Sequence, residues 1–212
     1  MNRSALSKTD DPVAPGARQA AKAKTRRAIL KSAVQLFARQ GVEETHAEEI
    51  ARRAKVGVGT IYLHFGDKNG LLREILLESA DGLEQRVQRV YQNLPASPLD
   101  LATAHVEALV TYIEEQGRLA SLVLSLMISG HPAARAMLDR ATQQVEEHMG
   151  AGQKLGIYRA DINPHLAARA EVHMNLGLLA WWAEDPRRAP RDEIIETLAR
   201  VRSSGFYVST KS

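Results

Sequence analysis

Apolar positions in this chain recur every three to four residues almost from end to end, the spacing of one face of an α-helix. From Thr25, Ile29, Ala33, Leu36 and Phe37 make the first such stretch, and Gly41 is placed to end it. A short helix is expected over about 47–54, with Ile50, Ala51 and Ala54 inward, followed by a tight break at 55–57. A third helix, over roughly 58–65, sets Ile61 and Phe65 four residues apart on one face. Asp67 is placed to cap a long helix in which Leu71, Leu72, Ile75, Leu76, Leu83, Val87 and Val90 carry the pattern towards Gln92. Ser97-Pro98, His131-Pro132 and Asn163-Pro164 each read as a capping residue followed by a proline in the first turn. The helices they open should reach about Gln116, Gly150 and Ala183, with an apolar segment at 119–128 between the first two. Asp185-Pro186 and Ala189-Pro190 mark a loop, and a last helix at about 191–208 carries Ile194, Ile195, Leu198, Ala199 and Val201. No repeat and no strand-period segment of any length interrupts this. The pattern predicts an all-α chain of about nine helices.

Composition agrees: 5% of the 212 residues are aromatic, and Ala, Leu, Arg and Glu, which lose little freedom in a helix, dominate. No run of 18 apolar residues is present, which excludes a membrane-spanning helix of the usual length. The first eleven residues hold no hydrophobic stretch, so no secretory signal is expected. With no cysteine, disulfides and thiolate metal sites are excluded. The expected setting is the cytoplasm.

The net charge of +3 matters less than where it lies. Residues 1–70 hold thirteen Lys and Arg against seven acids, so the remainder of the chain is mildly acidic. A basic end on an acidic body fits contact with a polyanion; a solvated tail would look the same. Residues 1–23, with Asp-Pro and Ala-Pro-Gly and no apolar period, are expected to be a disordered basic arm.

Two short helices joined by a three- or four-residue turn in a basic region match the helix-turn-helix plan. The second helix must enter a major groove about 12 Å wide, so its outer face must carry small or hydrogen-bonding groups. Here that face offers Val58, Gly59, Thr60, Tyr62, Leu63 and His64, while Ile61 and Phe65 pack inward.

The string Glu49-Ile-Ala-Arg-Arg-Ala-Lys-Val-Gly-Val-Gly-Thr-Ile-Tyr-Leu-His-Phe-Gly-Asp-Lys68, followed by Leu71-Leu72, closely resembles the DNA-binding segment of the tetracycline-repressor (TetR) family. Upstream, Arg27-Ala-Ile-Leu, Leu36-Phe37 and Gly41 resemble that family's first helix, so the likeness spans about residues 25–72. The resemblance implies that Tyr62 bonds a phosphate and that Thr60 and His64 meet phosphate or a base edge. It places Lys68 on a backbone phosphate at the positive end of the fourth helix. His46 and Ala47 fall at the entry to the second helix, and Val58, Gly59 and Leu63 at the groove. Three residues depart from the family pattern: Lys55 stands for a turn glycine, Gly57 for a capping serine, and His46 for Thr or Ser.

The same resemblance implies three parts: the arm at 1–23, a reading head at 24–69, and an effector-binding and dimerisation domain at 70–212. It implies a homodimer on a palindromic operator in double-stranded DNA, released by a small-molecule effector. The helix from Asn163 is apolar nearly all round, which fits burial by both a core and a partner copy, or burial at the centre of a monomer. Trp181 and Trp182 cannot face the same core. The expected interface is Leu178, Trp181, Trp182, Ile195, Leu198 and Arg202. Candidate effector contacts are His105, Tyr112, Met127, His173, Met174 and Asn175, polar or adaptable residues among apolar ones.

An enzyme is the contrasting reading. His165 and His173 lie about 12 Å apart along one helix, too far to share an ion, and no phosphate loop, nucleophile elbow or His-Glu-x-x-His is present. Paired carboxylates such as Glu114-Glu115 read as solvated faces. No catalysis, no cofactor, no metal and no membrane contact are expected. A ligand-responsive activator and a helical interaction module without DNA binding stand as the alternatives.

Overall fold

The computed structural model describes residues 15–92 and 97–208. They form nine α-helices: α1 (Pro15–Gln40), α2 (Ala47–Ala54), α3 (Val58–Phe65), α4 (Lys68–Gln92), α5 (Pro98–Gln116), α6 (Arg118–Ile128), α7 (Pro132–Lys154), α8 (Pro164–Glu184) and α9 (Arg191–Phe206). The chain is all-α, and the isolated bridge between Tyr158 and Tyr207 ties the α7–α8 connection to the end of α9. Among the described residues no helix is long and apolar enough to cross a membrane.

The caps behave as their chemistry requires. Ser97 accepts from the Asp100 N–H, and Asn163 accepts from the N–H groups of His165 and Leu166. His131 caps α7 through Nδ1, which accepts from the Ala133 N–H at 3.2 Å. Gly41 ends α1 at φ 85°, where a side chain would be strained.

Two boundaries differ from the sequence pattern. Helix α1 begins at Pro15, so 15–23 is helical where a disordered arm was expected; residues 1–14 of that arm lie outside the described residues. Ala17, Ala20, Ala21 and Ala23 supply helix propensity without an amphipathic period, and residues 16–24 are exposed accordingly. Helix α7 runs through Gly150 to Lys154. Gly152 is there for proximity: a Cβ on it would fall 2.2 Å from the buried Tyr158 ring.

Apolar packing is divided along the molecule. One cluster joins α1, α2 and α3 with Leu71, Leu72, Ile75 and Leu76 of α4 and Leu122, Val123 and Leu126 of α6. A second is built by α5, α8 and α9 around Val106, Leu179, Trp182 and Leu198. Helix α4 leaves the first cluster and runs alongside α5 and α7. Four expected interface residues are consumed by this inner packing: Trp182, Ile195, Leu198 and Arg202 are buried within the chain. A helix covered on one side by its own core leaves only the opposite stripe for a partner. Leu178 is half-buried against the second cluster, and Trp181, 44% exposed, is the member of the set that faces solvent.

Candidate nucleic-acid interface and internal cavity

Helix α3 is held by very little. Ile61 is its one buried residue, and Val58 and Phe65 pack half-buried beside it. The rest of α3 is exposed or half-buried, with Tyr62 51% and Leu63 84% exposed. Leaving so large an apolar side chain in water has a physical use if a thymine methyl meets it. Gly59 is exposed, Thr60 and His64 are half-buried, and His46 and Ala47 lie at the start of α2, His46 exposed as its N-cap.

The turn before α3 adopts the conformation its sequence disfavours. Lys55 sits at φ 58° and ψ 44°, left-handed, with its N–H directed to the carbonyls of Ala51 and Arg52. That conformation costs a non-glycine residue roughly 1–2 kcal/mol. Because the Lys55 side chain is exposed, Lys55→Gly removes strain without removing packing. Set against the greater freedom of glycine in the unfolded chain, the expected gain is about 0.5–1 kcal/mol, read as a rise of about 1–4 °C in the thermal midpoint. Gly57, the N-cap of α3, makes no side-chain cap bond.

Lys68 is placed differently from the expectation. Its Nζ donates to the carbonyls of Val42 (2.8 Å) and Glu43 (3.1 Å), with the Glu43 carboxylate 3.8 Å away. It ties the start of α4 to the α1–α2 loop, where the Val42 carbonyl also accepts from the Thr45 N–H and the two carbonyls offer a nearer partner than a phosphate. Close by, Gly70 lets α4 approach the end of α3: a Cβ there would lie 1.9 Å from the Phe65 carbonyl oxygen. Arg26 adds a clamp from α1, pairing with Glu74 and Glu78 of α4 while standing 5.7 Å over the Phe65 ring. The reading helix is thus seated on α4 at its C-terminal end.

Positive charge lies on one side of this unit, along α1. Helix α1 holds seven Lys and Arg and no acid. Of these Arg18, Lys22, Lys24 and Arg27 are exposed and make no ion pair among the described residues.

A cavity of about 420 Å³ lies in the body, walled by α4, α5, α6, α7 and α8. Leu83, Val87, Leu109, Val123, Met137 and Leu176 are typical of its lining, which is mostly apolar. Four of the six expected effector residues reach it: His105, Tyr112, Met127 and Asn175. Two do not. His173 is exposed and its ring meets the Arg169 carbonyl, and Met174 packs against the second apolar cluster. Each residue step on a helix turns the side chain by about 100°, so Met174 and His173 turn away from the cavity that Asn175 and Leu176 line.

Absent from the expected set is Glu171, one turn before Asn175 on the same face of α8 and fully buried at the cavity wall. A lone acid among apolar residues in α8 was its only trace in the sequence. Glu171 is ion-paired with Arg202, which also donates to the hydroxyls of Tyr91 (2.8 Å) and Tyr158 (3.1 Å). Burial opposes the Arg202 charge, and the Tyr91, Tyr158 and Tyr207 oxygens outweigh it, so the guanidinium holds its proton more tightly than usual. Burial, with Arg202 and His148 nearby, drives His105 well below the ordinary histidine range, so its ring is neutral. His148 is lowered too, chiefly by burial, and stacks on Tyr91 at 4.4 Å.

A short exposed helix on a three-helix head, joined by its fourth helix to a larger helical body, defines a helix-turn-helix DNA-binding protein. Comparison with known proteins agrees. Residues 29–75 match the profile of bacterial regulatory proteins of the tetR family. The transcriptional repressor KstR2 of Rhodococcus jostii is 31% identical over 150 residues, which cover 66% of this chain and 71% of that one. The transcriptional regulator UidR of Escherichia coli K12 is 26% identical over 162 residues, 74% of this chain and 80% of that one. Among solved structures, NalD of Pseudomonas aeruginosa, the secondary repressor of the MexAB-OprM multidrug efflux pump, superimposes with a TM-score of 0.67 at 27% identity, covering 87% of this chain and 97% of that one. The chain belongs to the TetR family and is a DNA-binding transcriptional regulator.

Proposed function

We propose that the protein is a repressor that binds a palindromic operator as a homodimer and leaves it when a small molecule fills the cavity. The observation that carries this reading is the double duty of α4. Its first turns seat α3 through Leu71 and Leu72, and further along Leu83 and Val87 wall the cavity. A ligand that shifts α4 therefore moves the reading helix. In a dimer, two such helices must lie about 34–36 Å apart to meet successive major grooves, so a small tilt is enough to spoil the fit. To switch usefully the ligand must favour the released state by several kcal/mol.

The division into a reading head at 24–69 and an effector and dimerisation body at 70–212 belongs to the same proposal, as do a cytoplasmic setting and the absence of catalysis. For the dimer face we favour the outer stripe of α8, where Leu166, Ala170, His173, Gly177 and Trp181 are exposed at helical spacing. Val201 and Gly205 of α9 extend it. Small residues among larger apolar ones allow close helix approach. At the groove, Tyr62, Thr60, His64, His46 and Ala47 are assigned to the backbone and base edges, with Val58, Gly59 and Leu63 facing the bases. Phosphate contact falls to the exposed cations of α1 rather than to Lys68 alone.

The test is fluorescence anisotropy with DNA from upstream of the protein's own gene, against scrambled competitor, at 50 and 200 mM salt. Expected is saturable binding that survives the competitor and weakens by about 10³–10⁵ between those salts, as for six to ten phosphate contacts. Binding no tighter than to scrambled DNA would count against self-regulation from that region. A salt response near zero would count against DNA recognition through phosphates.

A further inference from the structure

The floor of the cavity combines three polar groups whose hydrogen-bonding capacity is only partly used. Glu171 Oε2 is buried behind the cavity wall and has no hydrogen-bond partner among the described residues. Asn175, one turn on, is buried and its amide makes no hydrogen bond among the described residues. His105 is neutral; its Nδ1 lies 3.4 Å from the Tyr91 hydroxyl, and its Nε2 lies 3.7 Å from Glu171 Oε1, too far for a hydrogen bond. An amide left unpaired at a buried wall costs about 1–3 kcal/mol, so a ligand that pairs with Asn175 gains about that much.

We infer that the effector is an uncharged, largely apolar molecule whose hydroxyl or N–H group pairs with the Asn175 amide, beside the buried Glu171–Arg202 pair. The inference rests on the cavity being the effector site, as proposed above. Charge excludes the two obvious rivals. An alkyl carboxylate would place a second anion beside Glu171, and the cations nearby are engaged: Arg202 by Glu171, Tyr91 and Tyr158, and Arg140, on the cavity wall, by Asp81 and Glu84. A cationic amphiphile would bring a charge against a mostly apolar wall where Arg202 has already balanced Glu171 and Arg140 has balanced Glu84, and so would bear its own desolvation. A neutral hydroxyl or N–H group adds a hydrogen bond to the Asn175 amide and no net charge. The remaining wall, with Leu83, Val87, Leu109 and Leu176, takes the apolar remainder, and a volume near 420 Å³ falls within the range of small-molecule sites.

The test uses three probes with one tail: 1-decanol, decanoate and decyltrimethylammonium, each below its aggregation threshold. Binding to the full-length protein is measured by isothermal titration, with Ala141→Phe as a variant that fills the cavity from α7. Expected is decanol binding at least tenfold tighter than either ion, lost in Ala141→Phe and weakened severalfold in Asn175→Leu. Tighter binding of decanoate or the ammonium ion, still lost on filling, would overturn the neutral-donor class and keep the cavity as the effector site. Decanol binding that Asn175→Leu leaves unchanged would overturn the placement of the polar end. Failure of all three probes to bind, or binding indifferent to Ala141→Phe, would overturn the cavity reading and this inference with it.

Discussion

Arg202→Ala is expected to destabilise the protein by about 3–5 kcal/mol, because it leaves Glu171 charged, buried and without its cation. The Arg202 guanidinium does more than balance one carboxylate. It gathers the hydroxyls of Tyr91 from α4, Tyr158 from the α7–α8 connection and Tyr207 beyond α9. Removing it leaves those phenols without their shared donor, although Tyr158 and Tyr207 remain 3.2 Å apart and can bond one another. The measurement is thermal unfolding at fixed protein concentration, where a loss of this size lowers the midpoint by about 10 °C. The double variant Glu171→Leu with Arg202→Met should recover most of that loss, since replacing a buried pair by apolar residues of similar size is often neutral. A single variant as stable as the parent would show that water reaches Glu171. A double variant no better than the single would assign the loss to the tyrosine hydroxyls instead.

The second large effect is expected at Ile61→Ala. Deleting a buried Ile side chain costs about 2–5 kcal/mol, and α3 has no other fully buried residue to share the loss. An eight-residue helix is not stable alone, so its angle on the head depends on this anchor. Operator affinity should fall by more than tenfold, while decanol binding in the distant cavity changes little. Leu63→Ala provides the contrast. At 84% exposure its removal leaves stability within about 0.5 kcal/mol, yet operator affinity should drop because a groove contact is gone. If Leu63→Ala bound operator as the parent does, Leu63 would leave the groove-facing set. If Ile61→Ala kept full affinity, the helix would be seated by Val58 and Phe65.

Much of the molecule was legible in its sequence because the signals were local. Proline after Ser97, His131 and Asn163 placed three helix starts correctly, and glycine at 41 placed one end. The reading helix was legible to the residue, since Ile61 inward and Leu63 outward follow from a 3.6-residue period over eight positions. Lys55 was suspect as a turn residue from its identity alone, and it does adopt the left-handed conformation.

What tertiary structure decided was the use of groups whose partners are distant in sequence. Lys68 was read as a phosphate ligand because nothing local competes for it; the Val42 and Glu43 carbonyls, 26 and 25 residues earlier, do compete once α1 and α4 meet. Arg202 looked like an exposed interface cation, yet its partners lie 31, 44 and 111 residues back, at Glu171, Tyr158 and Tyr91. Periodicity shows that a helix has an inner face and cannot say whether that face meets the chain's own core, a cavity or another copy. The sequence therefore determined the helices and the reading head, where the physics is one of spacing and capping. Only the packed structure, where burial sets the cost of every unpaired charge, placed Glu171 at the cavity floor and Trp182 in the core.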